Sequence, residues 1–224
     1  MSLNVKALLG LAFLALVMAL CVFIAAGTLR YWQGWLFLAV FFAVGFLHTL
    51  YGMKNDAALL ERRLAGGPMA ERRGTQRTIM FFVSLGFIGL LVAPALGWRF
   101  GSGTLPLAAV LGGDALTVIG FYIVALAFRE NTFAAAKVDT FAGQTVISSG
   151  PYAVVRHPQY AGSLLYLGGM PLALGSWWGL PVFAAMVPFL VWRLRDEERM
   201  LVKELPGYAD YRNRVRWRLI PGIY

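Results

Sequence analysis

The chain has 224 residues, of which 59% are hydrophobic and 14% charged, and its mean hydropathy is +0.66. An ordinary soluble domain is about half apolar and about a quarter charged, so this composition excludes one and leaves no length for a separate soluble domain. The formal net charge of +9 would suggest nucleic acid in a soluble protein. In a membrane protein basic residues collect on cytoplasmic loops, and no nucleic-acid module is visible, so nucleic acid is not an expected partner.

Residues 7–29 form the first apolar run. It is longer than the roughly 7–15 residues of a signal-peptide core and reads as a transmembrane helix. Its cysteine, Cys21, is the only one in the chain, which excludes a disulfide framework and a cysteine-based metal site. Leu20 is too large for the small residue expected before a lipoprotein cleavage point, so Cys21 reads as packing.

Residues 34–53, 78–98 and 105–128 are three further runs near the ~20 residues that cover ~30 Å of hydrocarbon. His48, in the second, faces apolar neighbours and reads as a packed helix residue. The two histidines, 109 positions apart, make no metal motif. Between the second and third runs, residues 54–77 read as a charged connection with a flexible Gly-Gly-Pro at 66–68.

After the loop 129–160 come two shorter apolar segments, 161–175 and 179–193, joined by Gly-Ser-Trp-Trp-Gly. Each makes about 22 Å of helix. They predict a hairpin that either spans a thinned bilayer or dips in without crossing. The fold class is all-α: a polytopic membrane protein with four transmembrane helices, a C-terminal helical hairpin and a cytosolic tail, as one membrane domain over 1–224. With both termini cytoplasmic, 18 of the 20 basic residues fall on the cytoplasmic side. Only Arg30 and Arg99 remain outside, and the reverse topology would invert the bias.

The polar chemistry gathers in the loop 129–160 and the tail after 193. Gly150-Pro151 is a turn signal, and Pro158 holds His157 extended. A helix starting near Ala161 would leave free backbone N–H groups, suited to an anion such as a cofactor carboxylate. Arg156 supplies a forked cation, His157 a donor or acceptor, and Tyr152 and Tyr160 flat faces. In the tail, Arg193 and Glu197 stand at i,i+4 and Arg195 and Glu198 at i,i+3. Taken alone, with Asp196, they read as a solvated, self-paired helix end. Residues 205–215 predict a short amphipathic helix lying on the membrane, with Tyr208, Tyr211 and Val215 on one face. Arg129 and Glu130 anchor the fourth helix at the interface, and Asn131 beside them is a candidate acceptor contact. No P-loop, dinucleotide fingerprint or Ser-His-Asp order is present.

Taken together, "GPYAVVRHPQYAG", an apolar hairpin, "RLRDEERML" and "ELPGYADYRNRVRWRLIPGIY" resemble the isoprenylcysteine carboxyl methyltransferase and phospholipid methyltransferase group of integral membrane enzymes. The resemblance covers Asn131 to Tyr224, and the number and order of helices agree with it. It implies S-adenosylmethionine as methyl donor, S-adenosylhomocysteine as product and no metal. The cofactor would lie in a cytosol-facing pocket. Gly150, Tyr152, Arg156, His157, Pro158 and Tyr160 belong to its first wall, and Glu197 and Glu198 to its second. A lipophilic acceptor (a prenylcysteine-like carboxylate, a lipid amine or a thiol) would enter from the bilayer. Arg156 or Arg195 would position a carboxylate, with Asn131 near the acceptor head. An amine or thiol would need a base, with His157 or a glutamate as candidates.

Two rival readings stand beside this one. Membrane sterol reductases, which use NADPH, share a similar C-terminal layout. A non-enzymatic transporter or scaffold would use the basic tail on anionic lipid. The membrane is expected to be a bacterial inner membrane.

Overall fold

The computed structural model describes residues 1–66, 71, 73–133, 138 and 143–224. Arg72, Lys137 and the Gly67–Pro68 part of the expected flexible link lie outside these residues. The chain forms α1 (Leu3–Ala26), α2 (Trp32–Asn55), α3 (Ala57–Leu64), α4 (Gly74–Arg99), α5 (Leu107–Glu130), a 3₁₀ turn (Gly150–Ala153), α6 (Pro158–Ala173), α7 (Gly179–Glu204) and α8 (Tyr208–Arg214). Among the described residues the only strand-like feature is one bridge between Thr104 and Ser176. The all-α expectation holds, and α1, α2, α4 and α5 are long and apolar enough to cross a membrane.

Much of the apolar surface of these helices points outward. Phe13 is 69% exposed, Ile24 70% and Phe81 60%. In water that surface would be costly; in hydrocarbon it is the solvated face. The interior is a continuous cluster from five helices, with Met18 and Val22 of α1, Phe37 and Phe41 of α2, Leu90 and Leu91 of α4, Met170 of α6, and Met186 and Leu190 of α7.

The closest approach is between α5 and α6. Gly113 and Gly120 of α5 stand two turns apart and face Gly169 and Gly162 of α6. A β-carbon on Gly120 would lie 2.5 Å from the Gly162 carbonyl oxygen, and one on Gly169 2.7 Å from the Gly113 oxygen. Two backbones meet this closely only where side chains are absent, and the contact then gives dispersion and Cα–H···O attraction instead of a hydrophobic gain. The glycine pairs fix the depth and rotation of α6, and with it the loop that enters it.

At the end of the molecule opposite the basic loops, Leu105 N–H donates to Gly175 O at 2.9 Å and Trp177 N–H to Gly103 O at 2.9 Å. The Tyr31 hydroxyl donates to Leu174 O. The tip of the α6–α7 hairpin is therefore level with the loops joining α4 to α5 and α1 to α2.

Four boundaries differ from expectation. Helix α3 interrupts the expected connection, because Asp56 caps it by accepting from Leu59 N–H at 2.8 Å and Leu59 and Leu60 are buried. Helix α6 begins at Pro158, whose fixed φ suits the first helical position, so Ala161 N–H already bonds His157 O at 3.1 Å and is not free for an anion. Helix α7 runs on to Glu204 and carries the tail's charges as one rigid rod. Helix α8 turns the aromatic face expected to meet lipid onto protein: Tyr208 and Tyr211 are buried against Tyr152, Leu205 and Ala127.

Gly120→Ala places its methyl against backbone and is expected to cost about 1–3 kcal/mol. Gly112→Ala, whose β-carbon meets nothing within 4 Å, is expected to be neutral. Thermal unfolding of the two variants in detergent checks the contrast.

Candidate active site

The sequence puts polar residues on α7 with a helical period that sends them two ways. Leu190, Arg193, Glu197 and Leu201 recur at three- and four-residue steps and face an interior cavity. Arg195, Glu198, Arg199 and Val202 share the other side and line a shallow outer surface. The adjacent glutamates thus work in different places.

Glu198 is buried and gathers three groups. Arg156 Nε donates to its Oε1 at 2.7 Å, Arg218 Nε to its Oε2 at 2.8 Å, and His157 Nε2 lies 3.2 Å from Oε1. Arg156 also donates through its Nη1 to Val215 O at 2.8 Å and Arg216 O at 2.9 Å. Two backbone bonds run the same way, from Arg156 N–H to Trp217 O and from His157 N–H to Arg218 O, each 2.9 Å. Burial alone would raise the Glu198 pKa. Hydrogen bonding to His157, Arg218 and Arg156 outweighs it and holds the carboxyl down at about 2. The expected self-pairing of Arg195 with Glu198 gives way to these partners. Arg195 instead donates to the Tyr224 hydroxyl at 3.0 Å.

A second buried network fixes the other side of α7. Arg193 pairs with Glu71 at 2.8 Å and donates to Gln76 Oε1 at 2.8 Å, and Gln76 donates to Asp196 Oδ2 at 2.6 Å. Arg73 closes the ring on Asp196 at 3.1 Å. These residues tie the start of α4 to α7. Their sequence separation, about 120 positions, hid them from local pattern reading.

Between the two networks lies a cavity of about 340 Å³, within the range of small-molecule sites. Its polar wall holds Asn131, Tyr152, Arg156, His157, Tyr160, Glu197 and Tyr208. Tyr160 donates to Glu197 Oε2 at 2.5 Å, and Asn131 donates to the Tyr152 hydroxyl at 3.3 Å. Burial pushes the Tyr152 hydroxyl up to about 12, with the Asn131 hydrogen bond pulling the other way. The Tyr208 hydroxyl is buried with no hydrogen-bond partner among the described residues, and burial pushes its pKa upward. The apolar wall holds Met80, Val83 and Phe87 of α4, Leu167 of α6 and Leu190 of α7. On α4 these lie about 9–20 Å inside its first residue, well into the apolar part.

Six of the ten candidate residues line this cavity: Asn131, Tyr152, Arg156, His157, Tyr160 and Glu197; Glu198 faces the other side of α7 and acts on the cavity only through the arginine and histidine it holds. Gly150 does not line it. It takes φ +53°, and a side chain there would strike Glu130 at 2.6 Å. Pro158 starts α6, and Arg195 points away from the cavity. Sequence reading missed Arg63, Gln144, Arg193, Tyr166 and Tyr208 as lining residues. Tyr208 was legible as part of an amphipathic face, though with the wrong partner. His48 is packed as expected, with Nδ1 3.1 Å from Val44 O and its ring edge-on to Phe121.

Glu198→Gln removes the anion that holds two arginines and is expected to cost about 3 kcal/mol. In the wild type, Glu198 has a depressed folded pKa, so its contribution is full above about 4.5 and is lost as pH falls toward about 2. Melting temperature against pH should fall across that window in the wild type, and less steeply in the variant.

Residues 108–207 match the family model described as phospholipid methyltransferase. Delta(14)-sterol reductase TM7SF2 of Mus musculus is 34% identical over 134 residues, covering 54% of this chain and 32% of that protein. Cobalt-zinc-cadmium resistance protein CzcN of Cupriavidus metallidurans is 33% identical over 104 residues, 45% of this chain and 47% of its own length. Delta(14)-sterol reductase of Methylotuvimicrobium alcaliphilum is 32% identical over 96 residues, 40% of this chain and 22% of that one. The chain thus spans between about a fifth and about half the length of these relatives. From the first turn of α5 to the turn before α8, the span that supplies all of the polar wall but Tyr208, the chain matches the phospholipid methyltransferase family model, the group its motifs resemble.

Proposed function

We propose that the protein is an S-adenosylmethionine-dependent methyltransferase acting on a lipophilic acceptor. The observation that carries this reading is the two-sided cavity, polar near the basic loops and apolar deeper along α4, α6 and α7. A polar cofactor and a greasy acceptor need such a junction. The residues present fit the cofactor. Tyr152, Tyr160 and Tyr208 offer aromatic faces to a sulfonium cation, Glu197 a nearby negative charge, and the Tyr208 hydroxyl an unused donor. When bound, S-adenosylmethionine supplies an electrophilic methyl group.

The chain's own residues would orient and enclose. Arg156 and His157 are held by Glu198 and the tail, so they reach the cavity with little freedom. Such pre-organisation is worth more for a displacement reaction than added flexibility. Asn131, at the end of α5, is placed for the acceptor's polar head and is itself oriented by Tyr152 and by Phe133 N–H, which donates to its Oδ1 at 3.1 Å. Arg195, facing away, is not part of this proposal. The bias of basic residues toward the loop-and-tail end supports a cytoplasmic location for the site and both termini, in a bacterial inner membrane.

A second reading has its own support: two of the relatives above are named sterol reductases and match up to 54% of the chain. In that case the same polar wall would take NADPH.

Titration calorimetry on detergent-purified protein separates the two. The expected result is saturable binding of S-adenosylmethionine and S-adenosylhomocysteine, weakened about tenfold or more by His157→Ala, with no binding of NADPH. Binding of NADPH alone would replace the methyltransferase reading by the reductase.

A further inference from the structure

Three arginines line the cavity among the described residues: Arg63, Arg156 and Arg193. Two are already paired. Arg156 holds Glu198, and Arg193 holds Glu71. Arg63 is different. No described carboxylate lies within 4.0 Å of it, and its contact is with the ring of Phe128, 4.0 Å from the guanidinium carbon. Helix α3 carries it there for a local reason. Asp56 caps the helix, Leu59 and Leu60 bury the inner face, and Arg63, four residues after Leu59, projects from the same side. The face of Phe128 steadies the guanidinium and takes none of its N–H donors, of which an arginine has five.

Arg63 is exposed, with its guanidinium over Phe128, and it lines the cavity together with Tyr166. A guanidinium that lines a cavity with no carboxylate partner among the described residues keeps its N–H donors for a ligand oxyanion. The apolar wall of Met80, Val83 and Phe87 belongs to the same cavity.

We propose that Arg63 is an acceptor-positioning residue, which binds a carboxylate or phosphate group on an amphiphile whose chain lies against α4. Arg63 stands outside the segment the phospholipid methyltransferase family model covers, so it would set acceptor choice for this chain on a shared cofactor wall. The proposal rests on the methyltransferase reading for its role, and on the cavity alone for its binding.

The test uses full-length protein in zwitterionic phosphatidylcholine nanodiscs. The probes are dodecanoate and dodecyl phosphate, with dodecanol and dodecylamine as uncharged and cationic counterparts, and acetate and inorganic phosphate as chainless anions. Each is titrated into the wild type, Arg63→Gln and Arg63→Lys, with S-adenosylmethionine titrated in parallel. The expected result is binding of at least one anionic amphiphile, about tenfold or more weaker in Arg63→Gln and partly restored in Arg63→Lys. Unchanged S-adenosylmethionine affinity across the three proteins shows that the site is intact. Equal binding of dodecanol or dodecylamine, equal binding of the chainless anions, or an anionic affinity untouched by Arg63→Gln would overturn the proposal. If the anionic amphiphile depends on Arg63 while the wild type ignores S-adenosylmethionine, the acceptor site stands and the methyltransferase reading falls.

Discussion

The site depends on one buried carboxylate. Glu198 is on the side of α7 away from the cavity, but it holds Arg156 and His157 from the loop before α6 and Arg218 from the tail. Three segments distant in sequence meet on two oxygens. A carboxylate placed this way is stabilising only while its partners stay; removing it would leave the buried Arg156 without an anion, and Arg218, which is partly exposed, without its anchor. The tail, which has no apolar core of its own, is anchored by this contact, by the backbone bonds of residues 156 and 157 to 217 and 218, and by Tyr208 and Tyr211.

The helices supply the frame for that contact. The glycine-to-glycine approach of α5 and α6 sets where Pro158 begins, and Pro158 sets where His157 and Arg156 leave the membrane end. The Glu71–Arg193–Gln76–Asp196 network holds the opposite wall, so α7 is clamped on two sides with the cavity between. Among the described residues, Arg63 is the cavity-lining arginine without a carboxylate partner, and a cation placed so is where a ligand anion gains most.

Motif reading located the polar wall with fair accuracy, because Gly-Pro-Tyr, Arg-His-Pro and the paired glutamates are local patterns with local causes. It went astray where one helix presents residues to two sides. Arg195 and Arg193 are two positions apart and therefore about 200° apart around α7, so only one of them faces the cavity. It also placed α8 on the membrane, since an aromatic face looks the same whether lipid or protein covers it. The structure covers it with Tyr152 and Leu205.

What the sequence by itself determined is whatever hydropathy, charge and short spacings decide: four spanning helices, a hairpin after them, basic residues at one end and a loop and tail rich in site chemistry. These follow from the free energy of apolar segments in hydrocarbon, which is a local quantity. Only the tertiary structure decided the level of the hairpin tip against its neighbouring loops, the separate duties of Glu197 and Glu198, and the presence of Arg63 in the cavity. Each of these depends on groups between 42 and 143 positions apart coming within a few ångströms, and no local pattern encodes such a distance.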